Sequence, residues 1–195
     1  MSLVGQKTKS DFIEWDKLQS LTQKLERDGD YKFTLLITIG MFTGLRISDI
    51  LSLRFKDLLG KEHIEVIEKK TGKVRKILVN EHLQETVSRI SSKLANLDPE
   101  QFIFLNRFKT KTMSPQYVNW MLKELVKKYG VVKNSNGIKS HSLRKSFGRR
   151  VWENNDKSEK GLIMLNEIFN HSSIKTTKIY LGIRDKEIQD VYQNL

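Results

Sequence analysis

Apolar positions along this chain recur mostly at helical spacing. Trp15, Leu18, Leu21 and Leu25 share one face and the pattern stops at Gly29, which predicts a first helix over about residues 14–28. A second is expected from near Asp30 through the apolar stretch 33–42, punctuated by Gly44. Ser48 is expected to cap a short helix over residues 49–53, which leaves Arg46 at a bend between two helices, where a side chain projects outward. Over residues 63–79 the pattern changes to alternation. Ile64 and Val66, then Val74, Ile77 and Val79, flank Lys70-Thr71-Gly72-Lys73, the composition of a β-hairpin turning at Gly72.

Helical spacing then returns. Asn80 is expected to cap a stretch reaching about Leu97, Pro99 breaks it, and Ser114-Pro115 pairs a cap with a first-turn proline to start a helix to Gly130. Residues 131–140 read as a polar loop. Ser140 is expected to cap a helix over about residues 141–151, and another runs through Leu162, Leu165 and Ile168 to Asn170, followed by a short helix carrying Tyr180. After Gly182, a tail keeps Ile188, Val191, Tyr192 and Leu195 on one face. The expected fold is mainly α with a small antiparallel β-sheet, an α+β domain over residues 12–182. Residues 1–11 form an extension or cloning remnant, and 183–195 a tail.

Composition bounds the class. At 195 residues and 38% hydrophobic, the chain can bury one sizeable core. It has no apolar run long enough to cross a bilayer and no signal-like N-terminus, so a cytoplasmic, nucleoid-associated protein is expected. The absence of cysteine excludes disulfides and thiolate metal sites.

Charge changes the picture more. The net +12 implies a polyanionic partner, and residues 106–150 hold twelve basic residues against one acidic, interleaved with Phe108, Tyr117, Trp120 and Tyr129. That pattern fits a phosphate-contacting surface, although a solvated basic face would look the same. Arg107, Lys109, Lys111, Lys123, Lys127, Lys139, Lys145 and Arg149 are the candidates for contacts with double-stranded DNA.

Four short segments carry chemistry. Gly44-Leu45-Arg46 sets an arginine at a helix junction with Asp49 three residues on; Lys70 precedes the Thr-Gly turn; His141-Ser142-Leu143-Arg144 puts two groups on one helix face; His171 is followed by Thr176-Thr177 and Tyr180. Taken alone, Arg46 reads better as a surface arginine, the His141–Arg144 spacing is common by chance, and Tyr180 reads better as a half-buried core tyrosine. Together, in this order, they resemble the tyrosine recombinase, or phage integrase, family over almost the whole chain from about Phe12 to Tyr180.

The resemblance implies a catalytic set of Arg46, Lys70, His141, Arg144, His171 and Tyr180, with Asp49 in support. Tyr180 would attack a DNA phosphate and form a 3′-phosphotyrosyl bond. Arg46, Arg144 and His171 would hold the non-bridging oxygens, Lys70 would protonate the 5′ oxygen, and His141 would assist proton transfer at the tyrosine. Guanidinium forks suit a phosphate that must be neutralised before a nucleophile approaches. Lys73 remains an alternative to Lys70 should the hairpin register slip.

No cofactor or metal is expected, because bond energy is kept in the phosphotyrosine, and the sequence has neither a Gly-x-x-x-x-Gly-Lys-Ser/Thr phosphate loop nor clustered carboxylates. The family implies a tetramer on paired DNA sites, a monomer alone, and no membrane. One departure is Asn170 where the family usually has glycine; asparagine tolerates a left-handed backbone. The other is the missing N-terminal arm, which fits either a catalytic fragment or a naturally short recombinase. The tail could dock on a neighbouring protomer or on its own domain. Two other functions remain open, a non-catalytic DNA-binding regulator and a type IB topoisomerase-like cleaver.

Overall fold

The computed structural model describes residues 10–67, 72, 74–183 and 192–193. Helix α1 (Trp15–Arg27) buries Leu18, Leu21 and Leu25 as their spacing requires. Helix α2 (Tyr31–Thr43) begins where the Asp30 carboxylate accepts the Phe33 N–H at 3.1 Å and is buried on every side from Phe33 to Met41, so it is the central helix of the domain. It ends at Gly44 in the left-handed conformation. Helix α3 (Ile47–Ile50) follows after Leu45 and Arg46, with Arg46 extended at its N-terminal edge. The expected Ser48 cap is not made: Ser48 lies inside α3 and its hydroxyl donates to Asp49 Oδ1 at 3.2 Å.

Strands β1 (His63–Ile67) and β2 (Val74–Leu78) pair antiparallel, with His63 opposite Leu78 and Ile67 opposite Val74. Ile64 and Val66 face the core, and Gly72 in the connection has φ +67°, as a turn residue should. Lys70 and Lys73 lie outside the described residues, as does all of the tail beyond Ile183 except 192 and 193.

Helix α4 (Glu81–Ser92) is capped by Asn80, which accepts the Leu83 N–H at 2.9 Å; it stops short of Leu97. Helix α5 (Pro115–Lys128) has the expected Ser114 cap and first-turn proline. Helix α6 (Ser140–Asn154) starts differently from expectation. Ser140 is its first helical residue rather than its cap, and its N–H is taken by Asn119 Oδ1 of α5 at 2.8 Å. Helices α7 (Glu159–Phe169) and α8 (Ile174–Leu181) follow.

Helix α6 organises the molecule. One side joins the main core built from α1, α2, α4, α5 and the hairpin, and the other carries a smaller apolar cluster of Leu162, Leu165, Phe169, Leu181 and Ile183. Gly148 permits that second contact: a Cβ there would stand 2.7 Å from Leu181 Cδ2 and 2.9 Å from Phe169 Cζ. No helix among the described residues is long and apolar enough to cross a membrane.

Candidate active site

The seam where α7 and α8 meet the α2–α3 bend, across α6, gathers most of the residues singled out above. Arg46 is half-buried at the N-terminal edge of α3 and donates through Nη2 to the main-chain oxygen of Phe169 at 3.4 Å. Arg144, on α6, is buried; its Nη2 donates to the same oxygen at 3.2 Å and its Nη1 to the carbonyl of Gly44. Its guanidinium carbon also lies 4.3 Å from the Phe169 ring centroid. Two permanent cations thus converge on one acceptor, which is how a site for an anion is built.

Local backbone explains the convergence. Gly44 has φ +58°, and a Cβ at that position would come 2.4 Å from Phe147 Cδ1 of α6, so the bend carrying Arg46 lies hard against the helix carrying Arg144. At the other wall, α7 ends on Asn170 at φ 51°, ψ 52°, the left-handed position proposed for it, so the chain reverses immediately after Phe169. The Phe169 carbonyl is held at that reversal.

His171 and Tyr180 stand on the same side of Phe169. The His171 ring centroid is 5.3 Å from that of Phe169 and 5.2 Å from that of Tyr180, and Tyr180 meets Phe169 edge-on at 5.4 Å. His171 Nδ1 lies 3.0 Å from Thr177 Oγ1. The Tyr180 hydroxyl is buried, and no described group reaches it with full hydrogen-bond geometry. Burial pushes its pKa up to about 12, against the downward pull of the Arg144 charge, then that of Arg46 and a weak approach of the Arg144 guanidinium to the oxygen.

The remaining candidates spread out. Asp49 is fully buried in α3. His141 is exposed in the first turn of α6; crowding of its ring by surrounding atoms, and then the charges of Arg144, Lys145, Arg46 and Lys139, hold it below the ordinary histidine range. Lys145 reaches the site, with Nζ 5.4 Å from the Tyr180 ring centroid. Arg149 instead stacks on Phe12 at 4.1 Å, and Arg107 on Phe108 at 4.4 Å. Lys109 and Lys111 are exposed on the loop before α5, Lys123 and Lys127 lie on α5, and Lys139 is half-buried before α6. Lys70 falls outside the described residues.

Sequence reasoning missed Phe169, Asn166 and Thr177. The first acts through a main-chain oxygen, which carries no residue signature; the Thr176-Thr177 pair before Tyr180 was visible, but the bond from Thr177 back to His171 was not.

Residues 11–187 match the family model described as Phage integrase family. The chain belongs to the phage integrase family. Among curated proteins, this integrase-family chain is 30% identical over 178 residues to the "Probable integrase/recombinase YoeC" of Bacillus subtilis, covering 91% of the chain and 92% of the relative. It is 25% identical to the "Tyrosine recombinase XerH" of Campylobacter jejuni, spanning 87% of the chain and 48% of that protein. The integrase chain therefore spans nearly all of one relative and about half of the other.

Two crystal structures share the fold. The XerA recombinase matches with a TM-score of 0.70 at 21% identity, over 94% of this chain and 64% of that one. XerH bound to palindromic difH substrate, a post-cleavage complex, matches with a TM-score of 0.67 at 19% identity, over 98% and 55%.

Proposed function

We propose that this chain is the catalytic domain, residues 12–182, of a tyrosine site-specific recombinase acting on double-stranded DNA through Tyr180. The observation that carries the proposal is the shared Phe169 oxygen, which brings Arg46 and Arg144 within reach of one acceptor beside His171 and Tyr180. A non-bridging phosphate oxygen would take the place of that acceptor. Support also comes from the relatives, named as recombinases, and from the DNA-bound XerH complex.

In this reading the two guanidiniums neutralise the phosphate, and donors set in place before reaction are typically worth about 3–4 kcal/mol each. The phenol oxygen of Tyr180 forms a bond to phosphorus as the bond from phosphorus to the 5′ oxygen breaks, giving a 3′-phosphotyrosine. The phenol proton passes to His141, which a depressed pKa leaves neutral and able to accept it. Lys70 gives its proton to the departing 5′ oxygen. That hydroxyl later attacks a partner strand's phosphotyrosine and releases the enzyme, so no nucleotide or metal takes part in either step. Recombination, whether integration and excision or inversion, would proceed in a tetramer on paired sites.

Incubation with a nicked suicide duplex tests the proposal. A covalent complex that survives denaturant is expected for the wild type and not for Tyr180→Phe. Complex formation in both would refute Tyr180 as nucleophile, and binding with no complex in either would leave a DNA-binding regulator.

A further inference from the structure

His171 is anchored through Nδ1, and the anchor is itself anchored. Thr177 Oγ1, 3.0 Å from that nitrogen, lies 3.1 Å from Asn166 Oδ1. Thr177 is fully buried in α8, and Asn166 sits in the last turn of α7, three residues before Phe169. Asn166 also holds His171 by the main chain, its carbonyl accepting the His171 N–H at 3.0 Å. One asparagine thus fixes both the backbone and, through Thr177, the ring of the histidine.

Proton counting settles the direction of the chain. A threonine hydroxyl has one hydrogen to give, and an amide oxygen can only accept. Thr177 therefore donates to Asn166 Oδ1 and meets His171 as an acceptor, so Nδ1 must carry a hydrogen. In a neutral imidazole the lone pair then sits on Nε2; in an imidazolium both nitrogens donate. A valine would fill the buried volume of Thr177 equally well. The hydroxyl is accounted for by its two partners and not by packing.

We infer that Thr177, backed by Asn166, is a positioning residue that locks His171 as the Nδ1–H tautomer and offers Nε2 to the scissile phosphate. The part concerning phosphate rests on the recombinase reading; the tautomer does not. With the lock in place, His171 accepts a proton at Nε2 when neutral and becomes a third donor to the phosphate oxygens only when protonated. In metal sites, outer partners that fix an imidazole's tautomer and orientation are worth about 10–100-fold in affinity or activity, and a loss of that size is expected here.

The test is a pair of measurements on the full chain. Two-bond proton–nitrogen spectra of the ¹⁵N-labelled protein, with His171 assigned by the signal missing in His171→Gln, are expected to show Nδ1 protonated and Nε2 bare in the neutral ring. Thr177→Val is expected to lose that preference and to form the covalent complex on the nicked duplex about 10–100-fold more slowly, while Thr177→Ser restores both. Asn166→Leu keeps the threonine hydroxyl but removes its acceptor, so it is expected to relax the tautomer as Thr177→Val does. An Nε2–H ring in the wild type overturns the inference without any variant. So does Thr177→Val with an unchanged tautomer, or with the same rate as Thr177→Ser. A wild type with the Nδ1–H ring and no covalent complex would sink the recombinase reading while the lock stands.

Discussion

Phe147 fills the space that a side chain at Gly44 would need, its Cδ1 standing 2.4 Å from where a Cβ would be. Because Gly44 also has φ +58°, Gly44→Ala meets both a steric clash and an unfavourable backbone. Each effect costs about 1–3 kcal/mol. The variant is expected to melt several degrees lower, and its covalent complex to form more slowly, since the bend carrying Arg46 must move away from α6. A thermal melt equal to wild type would contradict the packing described.

Asn170 makes a milder prediction. It occupies the left-handed cap of α7, where glycine is the easiest residue and asparagine the next. Asn170→Ala should lose about 1 kcal/mol of stability by denaturant titration, and Asn170→Gly should stay within about 0.5 kcal/mol of wild type. Equal losses in the two would show that the side chain, and not the backbone conformation, matters there.

Arg144 tests the arrangement of the cations. A lysine keeps the charge but, as a single ammonium on a flexible stem, does not reproduce the fork that joins the carbonyls of Gly44 and Phe169. Arg144→Lys is expected to slow covalent-complex formation by about 10²–10³-fold. Retention of nearly full rate would mean that charge alone is sufficient.

A prediction on pH concerns a site remote from the chemistry. Glu26 of α1 takes hydrogen bonds from Arg89 at 2.8 and 3.0 Å and from Lys93 at 3.0 Å, and its pKa falls from 4.5 to about 2, chiefly through the Arg89 bond. A carboxylate with a depressed folded pKa adds stability above its unfolded value and loses it as pH falls through the folded one. Arg89 and Lys93 are nearly half exposed, so screening limits the contribution to about 1 kcal/mol. Glu26→Gln should therefore be about that much less stable at pH 7, with the gap closing between pH 4.5 and 2. A gap independent of pH would rule out the ion pair as its source.

Much of this could be read along the chain because the signals are local. Asp30, Asn80 and Ser114 cap the helices that follow them through atoms three residues away, and the Gly44-Leu45-Arg46 bend is fixed by one glycine. What escaped depends on distant partners. Ser140 is the first helical residue of α6 and not its cap, and its N–H is taken by Asn119 on another helix. The burial of α2 on every side gives no amphipathic stripe, so its central place could not be inferred from spacing. Arg46 and Arg144 converge on a main-chain carbonyl, and any residue at position 169 would have supplied one.

The central claim is that Tyr180 is the residue that becomes joined to DNA, and peptide mapping of the complex trapped on a nicked duplex tests it most directly. Mass spectrometry after tryptic digestion should find a nucleotide remnant on the peptide covering residues 179–184, attached to Tyr180. A remnant on Tyr117, Tyr129, Tyr192 or any other residue would contradict the account.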